Sequence, residues 1–86
     1  MTALERQWVE SGWWPKQYLG IRWYQRHVGN DVYIEFQYEA GAWWSFLNVE
    51  EDIVFGPGAP TADEAKSDAE AMYEAWVYET HGAVLP

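Results

Sequence analysis

Residues 32–39 read Val32-Tyr33-Ile34-Glu35-Phe36-Gln37-Tyr38-Glu39, and their alternation decides the fold class. Successive side chains of a strand point to opposite faces, so Val32, Ile34, Phe36 and Tyr38 share one side and Tyr33, Glu35, Gln37 and Glu39 the other. One face is set to be buried and one to be wet, as in an antiparallel sheet covered on a single side.

Working outward, Gly29-Asn30-Asp31 supplies residues that tolerate positive φ and reads as a hairpin loop. Before it, residues 18–28 alternate as a first strand, with Leu19, Ile21 and Trp23 on one side and Tyr18, Arg22 and Tyr24 on the other. After it, Glu39-Ala40-Gly41-Ala42 turns the chain into a third strand over 43–49. Glu50-Glu51-Asp52 then separates that strand from 53–55, which is short enough to be either a fourth strand or a connection. Gly56-Pro57-Gly58-Ala59-Pro60 breaks the sheet pattern.

The spacing predicts a helix over about 62–80. Thr61 and Glu64 stand in capping-box relation at its start. Ala65, Ala69, Met72, Tyr73, Trp76 and Val77 recur every three or four residues as an apolar stripe, the two alanines allowing close approach to the sheet. Gly82 is the expected stop. At the other end, Thr2 and Glu5 also have capping-box spacing and Leu4 and Trp8 lie four apart, which favours a short helix over 2–11 against a strand through Trp8 and Val9. Ser11-Gly12-Trp13-Trp14-Pro15 follows as a break. The expectation is therefore a single α+β domain over residues 1–86, a three- or four-stranded antiparallel meander packed against a C-terminal helix, with a short N-terminal helix as an option.

Seven Trp, six Tyr and three Phe supply large buried surfaces to a chain of only 86 residues. The absence of cysteine removes the disulfides common in small secreted folds and favours a reducing compartment. There is no apolar core of a signal peptide near the N-terminus, and no run approaches the roughly 20 apolar residues of a membrane span. A cytoplasmic protein without membrane contact is expected.

Charge is segregated along the chain. From Glu35 onward eleven acidic side chains face one base, Lys66, whereas residues 1–34 hold three acids and four bases, for a net charge of -9. Direct nucleic-acid binding rests on Lys and Arg neutralising phosphates, so this balance argues against it and toward a basic partner.

The order of strands, the Gly/Pro connection and the capped helix reading Thr61-Ala62-Asp63-Glu64-Ala65-Lys66 through Ala69-Glu70 resembles small β-β-β-α proteins of bacteria and their phages. The likeness spans about residues 18–80 and is one of layout. A similar layout is found in the double-stranded RNA-binding fold and in toxin-antitoxin partner domains, but this chain lacks the basic helix start of the RNA binders. Phage inhibitors of bacterial defence, anti-CRISPR proteins among them, are similar in size and acidity. That analogy implies an inhibitor that mimics phosphate charge and blocks a basic groove on a nucleic-acid-binding protein of a bacterial host.

Two residue sets are candidates for partner binding. The first is acidic: Glu50, Glu51 and Asp52 in one loop, with Asp68, Glu70, Glu74 and Glu79 on the helix. Glu70 and Glu74 lie four apart as a like-charge column, which costs an isolated helix about 0.2–0.5 kcal/mol. The same acidity also serves solubility alone. Asp63 and Glu64 complement the helix dipole and count less. The second set is aromatic: the adjacent pairs Trp13-Trp14 and Trp43-Trp44. Of the strand neighbours Trp43 and Trp44 one joins the core and one faces outward, where the N-terminal segment is expected to cover it with Trp8, Trp13 or Trp14; left uncovered, such an indole can anchor a protein interface or stack on a sugar. The expected assembly is a monomer or a weak homodimer joined through a sheet edge.

Catalysis has little to rest on. Ser11, Ser45 and Ser67 have no nucleophile context, and His27 and Asp31 flank a turn where both types serve the backbone. His81 lies at a helix end, and the histidines have no metal-ligand spacing. No cofactor is expected, and the chain reads as a non-enzyme.

Overall fold

The computed structural model describes residues 2–81. Helix α1 spans Ala3–Glu10, followed by strands β1 (Trp14–Tyr18), β2 (Ile21–Gly29), β3 (Val32–Glu39), β4 (Ala42–Val49) and β5 (Asp52–Phe55), then helix α2 (Ala62–His81). The strands form one antiparallel sheet in chain order, β1-β2-β3-β4-β5. The class is α+β, a meander backed by the C-terminal helix, with five strands where three or four were expected.

The extra strand comes from a turn hidden inside 18–28. Leu19 and Gly20 adopt φ of 50° and 81°, splitting that stretch into β1 and β2. Ala40 and Gly41 repeat the arrangement at 52° and 84°. Paired positive φ values match the right-handed strand twist, and glycine takes the second place at little steric cost. The expected faces of that stretch change with it: Ile21 and Trp23 lie on the outer face, and Tyr18, paired with Ile21, joins them rather than Arg22 and Tyr24. Residues 13–15, read as a break, instead carry the chain into β1, because an edge strand tolerates Pro15.

Helix α1 is closed by the expected capping box: the Glu5 amide donates to Thr2 Oγ1 at 3.1 Å and the Thr2 amide to Glu5 Oε1 at 3.3 Å. Thr61 Oγ1 likewise accepts the Glu64 amide at 3.2 Å as α2 begins. The helix stop expected at Gly82 lies outside the described residues.

Both helices lie on the same face of the sheet. Ala65 and Ala69 of α2 are fully buried over β3 and β4, and the Tyr73 hydroxyl donates to the Val28 carbonyl at 3.3 Å. Since α2 leaves the β1–β2 side of this face uncovered, α1 fills it with Trp8. The Trp8 ring meets Tyr24 at 5.0 Å and Phe36 at 5.3 Å. Trp13, with 0% exposure, meets Phe36 at 4.9 Å. The Tyr24 hydroxyl donates to Glu5 Oε2 at 3.0 Å and pins α1 to β2. Hydrogen bonds from the Thr2 amide, the Tyr24 hydroxyl and Thr2 Oγ1 hold the Glu5 carboxyl below its ordinary range. Burial raises the Tyr24 hydroxyl, and the Glu5 carboxylate adds to the effect.

The connection after β5 stays alongside β4. The Gly56 amide donates to the Ser45 carbonyl at 2.9 Å, and Ala59 and Trp43 exchange backbone bonds of 2.8 and 2.9 Å. This returns the chain to the start of β4 and launches α2 back across the covered face.

Candidate functional site

With α1 and α2 on one side, no helix among the described residues covers the opposite face of the sheet. Its register can be followed row by row across the strands. Trp14 lies beside Gln25, then Glu35, Phe46 and Phe55; the next row runs Lys16, Trp23, Gln37, Trp44. His27, Tyr33, Asn48 and Ile53 make a third row. Aromatic rings thus alternate with amides and a carboxylate, a composition suited to protein recognition, in which aromatic anchors sit among polar groups.

Each adjacent Trp pair divides between the faces. Trp14 is 58% exposed and Trp44 37% exposed on the open side, whereas Trp13 is wholly buried and Trp43 packs against the core beside Phe36 and Tyr38. Trp13 therefore leaves the aromatic candidate set, and Trp43 lies on the helix side rather than the open face. The expected covering of the outer face by the N-terminal segment is also overturned, since Trp8 and Trp13 pack on the other side and Trp14 is itself exposed. The Trp44 ring is held in place: its Nε1 donates to the Glu39 carbonyl at 2.9 Å, and Gly58 leaves room for the ring edge. Phe46 and Phe55 meet edge to face at 5.5 Å.

Glu35 sits at the centre of this face and is more than half buried. Asn48 Nδ2 donates to its Oε1 at 2.7 Å. Burial lifts the Glu35 carboxyl above its ordinary value of 4.5, opposed by the Asn48 hydrogen bond and the His27 charge. A raised folded-state value means that the native chain holds this proton more tightly than the unfolded chain, so Glu35 opposes folding at neutral pH and the penalty fades on acidification. Glu35→Gln, which keeps an acceptor for Asn48, is expected to raise the urea midpoint at pH 7. That gain should shrink as pH falls through the folded Glu35 value toward 4.5 and vanish below it. A pH-independent difference in urea melts would remove the burial account.

The acidic candidates fall in two groups, one on the β4–β5 turn and one on α2. Glu50, Glu51 and Asp52 are exposed at the β4–β5 turn and, with Asp31 and Tyr33, border an open hollow of about 580 Å³. The Glu50 amide donates to the Asp31 carbonyl at 2.8 Å, bringing the two turns together. On α2, Glu70 is not an unopposed charge in a column with Glu74: it meets Lys66 at 3.1 Å and Arg26 at 3.6 Å. Cations from its own helix and from β2 remove the repulsion expected from sequence spacing. Asp68 is half-buried, and Glu74 and Glu79 are exposed. Glu79 borders an apolar hollow at β5.

A third hollow, of about 370 Å³, opens at the opposite end of the sheet between Tyr24, Tyr38, Trp43, Arg22 and Glu39. Sequence reasoning missed it because its walls come from β2, β3 and β4 and meet only in the folded sheet. Among the described residues no group of three or more His, Asp or Glu side chains is placed to hold a metal ion. No helix among them is long and apolar enough to cross a membrane. Compared with protein families, characterised proteins and solved structures, the chain found no match.

Proposed function

We propose that this chain is a non-enzymatic protein-binding module that docks its partner on the open sheet face, with Trp14 and Trp44 as anchors. The observation that carries the reading is sidedness: both helices pack on one face, and the other keeps two exposed indoles among Gln25, Glu35, Gln37 and Asn48. Exposed rings on a rigid sheet lose little conformational freedom on binding, which is why Trp is enriched at interface hot spots. Such a face fits a partner offering apolar side chains to the indoles and amide or basic donors to Glu35.

A second reading keeps the chain as a phage-derived inhibitor acting in the bacterial cytoplasm by occupying a basic nucleic-acid groove. It is favoured by the convergence of Asp31, Glu50, Glu51 and Asp52 at one end of the sheet. It is weakened by Glu70, whose charge is already met by Lys66 and Arg26.

Affinity capture from bacterial lysate, with the binding of the recovered partner then titrated, separates the two. Trp14→Ala with Trp44→Ala is expected to weaken binding about 1,000-fold, from hot-spot losses of about 2 kcal/mol per residue. Reversing Glu50, Glu51 and Asp52 to Lys is expected to change it only a few-fold, with little dependence on salt. The opposite ranking, with binding lost at high salt, would replace the aromatic reading with charge mimicry.

A further inference from the structure

We propose that β5 is a self-pairing edge, through which two copies of the chain join antiparallel about a two-fold axis at Val54 and fuse their five-stranded sheets into one. The two open edges differ. β1 carries Pro15 and Lys16, both of which blunt an edge against pairing. In β5 all four residues, Asp52-Ile53-Val54-Phe55, are exposed, and charge is confined to the first. Phe55, at 70% exposure, is among the most exposed large apolar residues described.

The direction of the free backbone groups follows from the ladder. Gly56 donates to Ser45, and antiparallel pairs alternate between hydrogen-bonded and non-bonded positions, so Gly56, Val54 and Asp52 turn their amides and carbonyls toward β4. The two-residue turn closing Val49 against Asp52 gives the same phase. Ile53 and Phe55 therefore present their N–H and C=O groups to the open edge.

Those two residues fix how a second copy fits. Facing residues must share a sheet face, and hydrogen-bonded pairs must be drawn from Ile53 and Phe55. Setting Ile53 opposite Phe55 of the second copy satisfies both conditions, and symmetry repeats the pair, so each outward amide and carbonyl of these residues gains a partner. Val54 then faces its own symmetry mate at a non-bonded position on the helix side. The arrangement is self-complementary, as an isologous two-fold contact requires, which is why the occupant is a second copy rather than an unrelated strand. Its side chains agree. Ile53 extends the Phe46–Phe55 ridge of its mate, while the two Val54 side chains meet at the mouth of an apolar hollow of about 220 Å³ lined by Leu47, Met72, Ala75 and Trp76.

Charge fits the antiparallel choice. Each copy carries -9, but the two-fold sends the Glu50-Glu51-Asp52 turns to opposite ends of the joined strands. At about 3.3 Å per residue they stand roughly 20 Å apart, beyond the Debye length of about 8 Å at physiological salt. Glu79 at the hollow stays near the seam, so pairing strengthens with ionic strength. The outer aromatic face stays free, and the pair doubles it.

The test exploits the absence of cysteine. Val54→Cys places two thiols at a non-bonded antiparallel position, with Cα atoms about 4.5 Å apart, inside the roughly 4.4–6.8 Å span of a disulfide. Under mild oxidation it is expected to give a linked dimer about tenfold or more faster than Ser67→Cys on the exposed side of α2, since pairing raises the local thiol concentration. In sedimentation across a concentration series the unmodified chain is expected to shift from monomer toward dimer, more so at high salt. Ile53→Pro, which removes an amide that β4 does not use, is expected to stay monomeric with an unchanged circular dichroism spectrum. Equal linking rates for the two cysteine variants, or an unmodified chain that stays monomeric throughout the series, would overturn the proposal.

Discussion

Phe36→Ala is expected to cost ~3–5 kcal/mol, the range for removing a fully buried aromatic side chain. Phe36 has 0% exposure, and four rings converge on it: Trp13 at 4.9 Å, Tyr24 at 5.0 Å, Trp8 at 5.3 Å and Trp43 at 6.2 Å. Tyr24 stacks on it at an interplanar angle of 16°, while Trp8 meets it edge-on at 84°. These rings come from α1, the segment leading into β1, β2 and β4, so the side chain joins elements remote in sequence. Small domains have about 5–15 kcal/mol of stability in total, so the variant should be largely or wholly unfolded under mild denaturant. Urea melts followed by tryptophan fluorescence give the readout. Phe36→Leu, which retains much of the volume, should lose markedly less, and Trp14→Ala, at 58% exposure on the open face, should cost under about 1 kcal/mol. Equal losses for Phe36→Ala and Trp14→Ala would mean that the aromatic cluster is not the centre of the core.

Gly56→Ala is expected to be the next most damaging change, at about 1–3 kcal/mol or more from overpacking. A Cβ at Gly56 would collide with Ser45 Oγ and press on Met72 Cε at 3.0 Å. The strands cannot part to relieve this, because the Gly56 amide is bonded to the Ser45 carbonyl at 2.9 Å. Ser45 Oγ is itself buried without a hydrogen-bond partner among the described residues, so Ser45→Gly should cost far less than its burial suggests. Combining Ser45→Gly with Gly56→Ala should recover much of the lost stability, a non-additivity expected of side chains in contact. Additive losses in the double variant would place the strain elsewhere, on Met72.

The sheet's middle was legible in the sequence because its side chains see two different environments. Val32, Ile34 and Phe36 are buried under the helices, and the residues between them face outward, so period two survives in the composition. Helix α2 was legible for the same reason, through Ala65 and Ala69. Strand β1 was hidden because Pro15 and Lys16 answer to the demands of an edge rather than of a core, and because Leu19 gives no sign of a turn that its left-handed φ of 50° creates. Period alone showed that Trp43 and Trp44 must divide between faces, but not which of them goes inward. Trp13 and Trp14, read as a break, divide as well because the chain enters β1 at Trp14 while Trp13 packs beside Phe36. Sequence spacing also set Glu70 against Glu74, but the compensating Arg26 comes from β2, a neighbour created only by folding.

Because spatial order in the sheet equals chain order, every strand pairing is closed by a local turn, at Leu19-Gly20, Asn30-Asp31, Ala40-Gly41 or Glu50-Glu51. Short loops cost little closure entropy, and folding rates rise as contacts become more local. During synthesis each hairpin can form as soon as its second strand emerges, without waiting for distant partners. The covered face behaves differently: its last lid is the 20 residues of α2, which are translated after all five strands. A nascent chain halted before residue 62 would hold its strand register while leaving Leu47, which lies beside Met72 and Trp76 of α2, open to water, a state that a chaperone would recognise and an encounter between two such chains would turn toward aggregation.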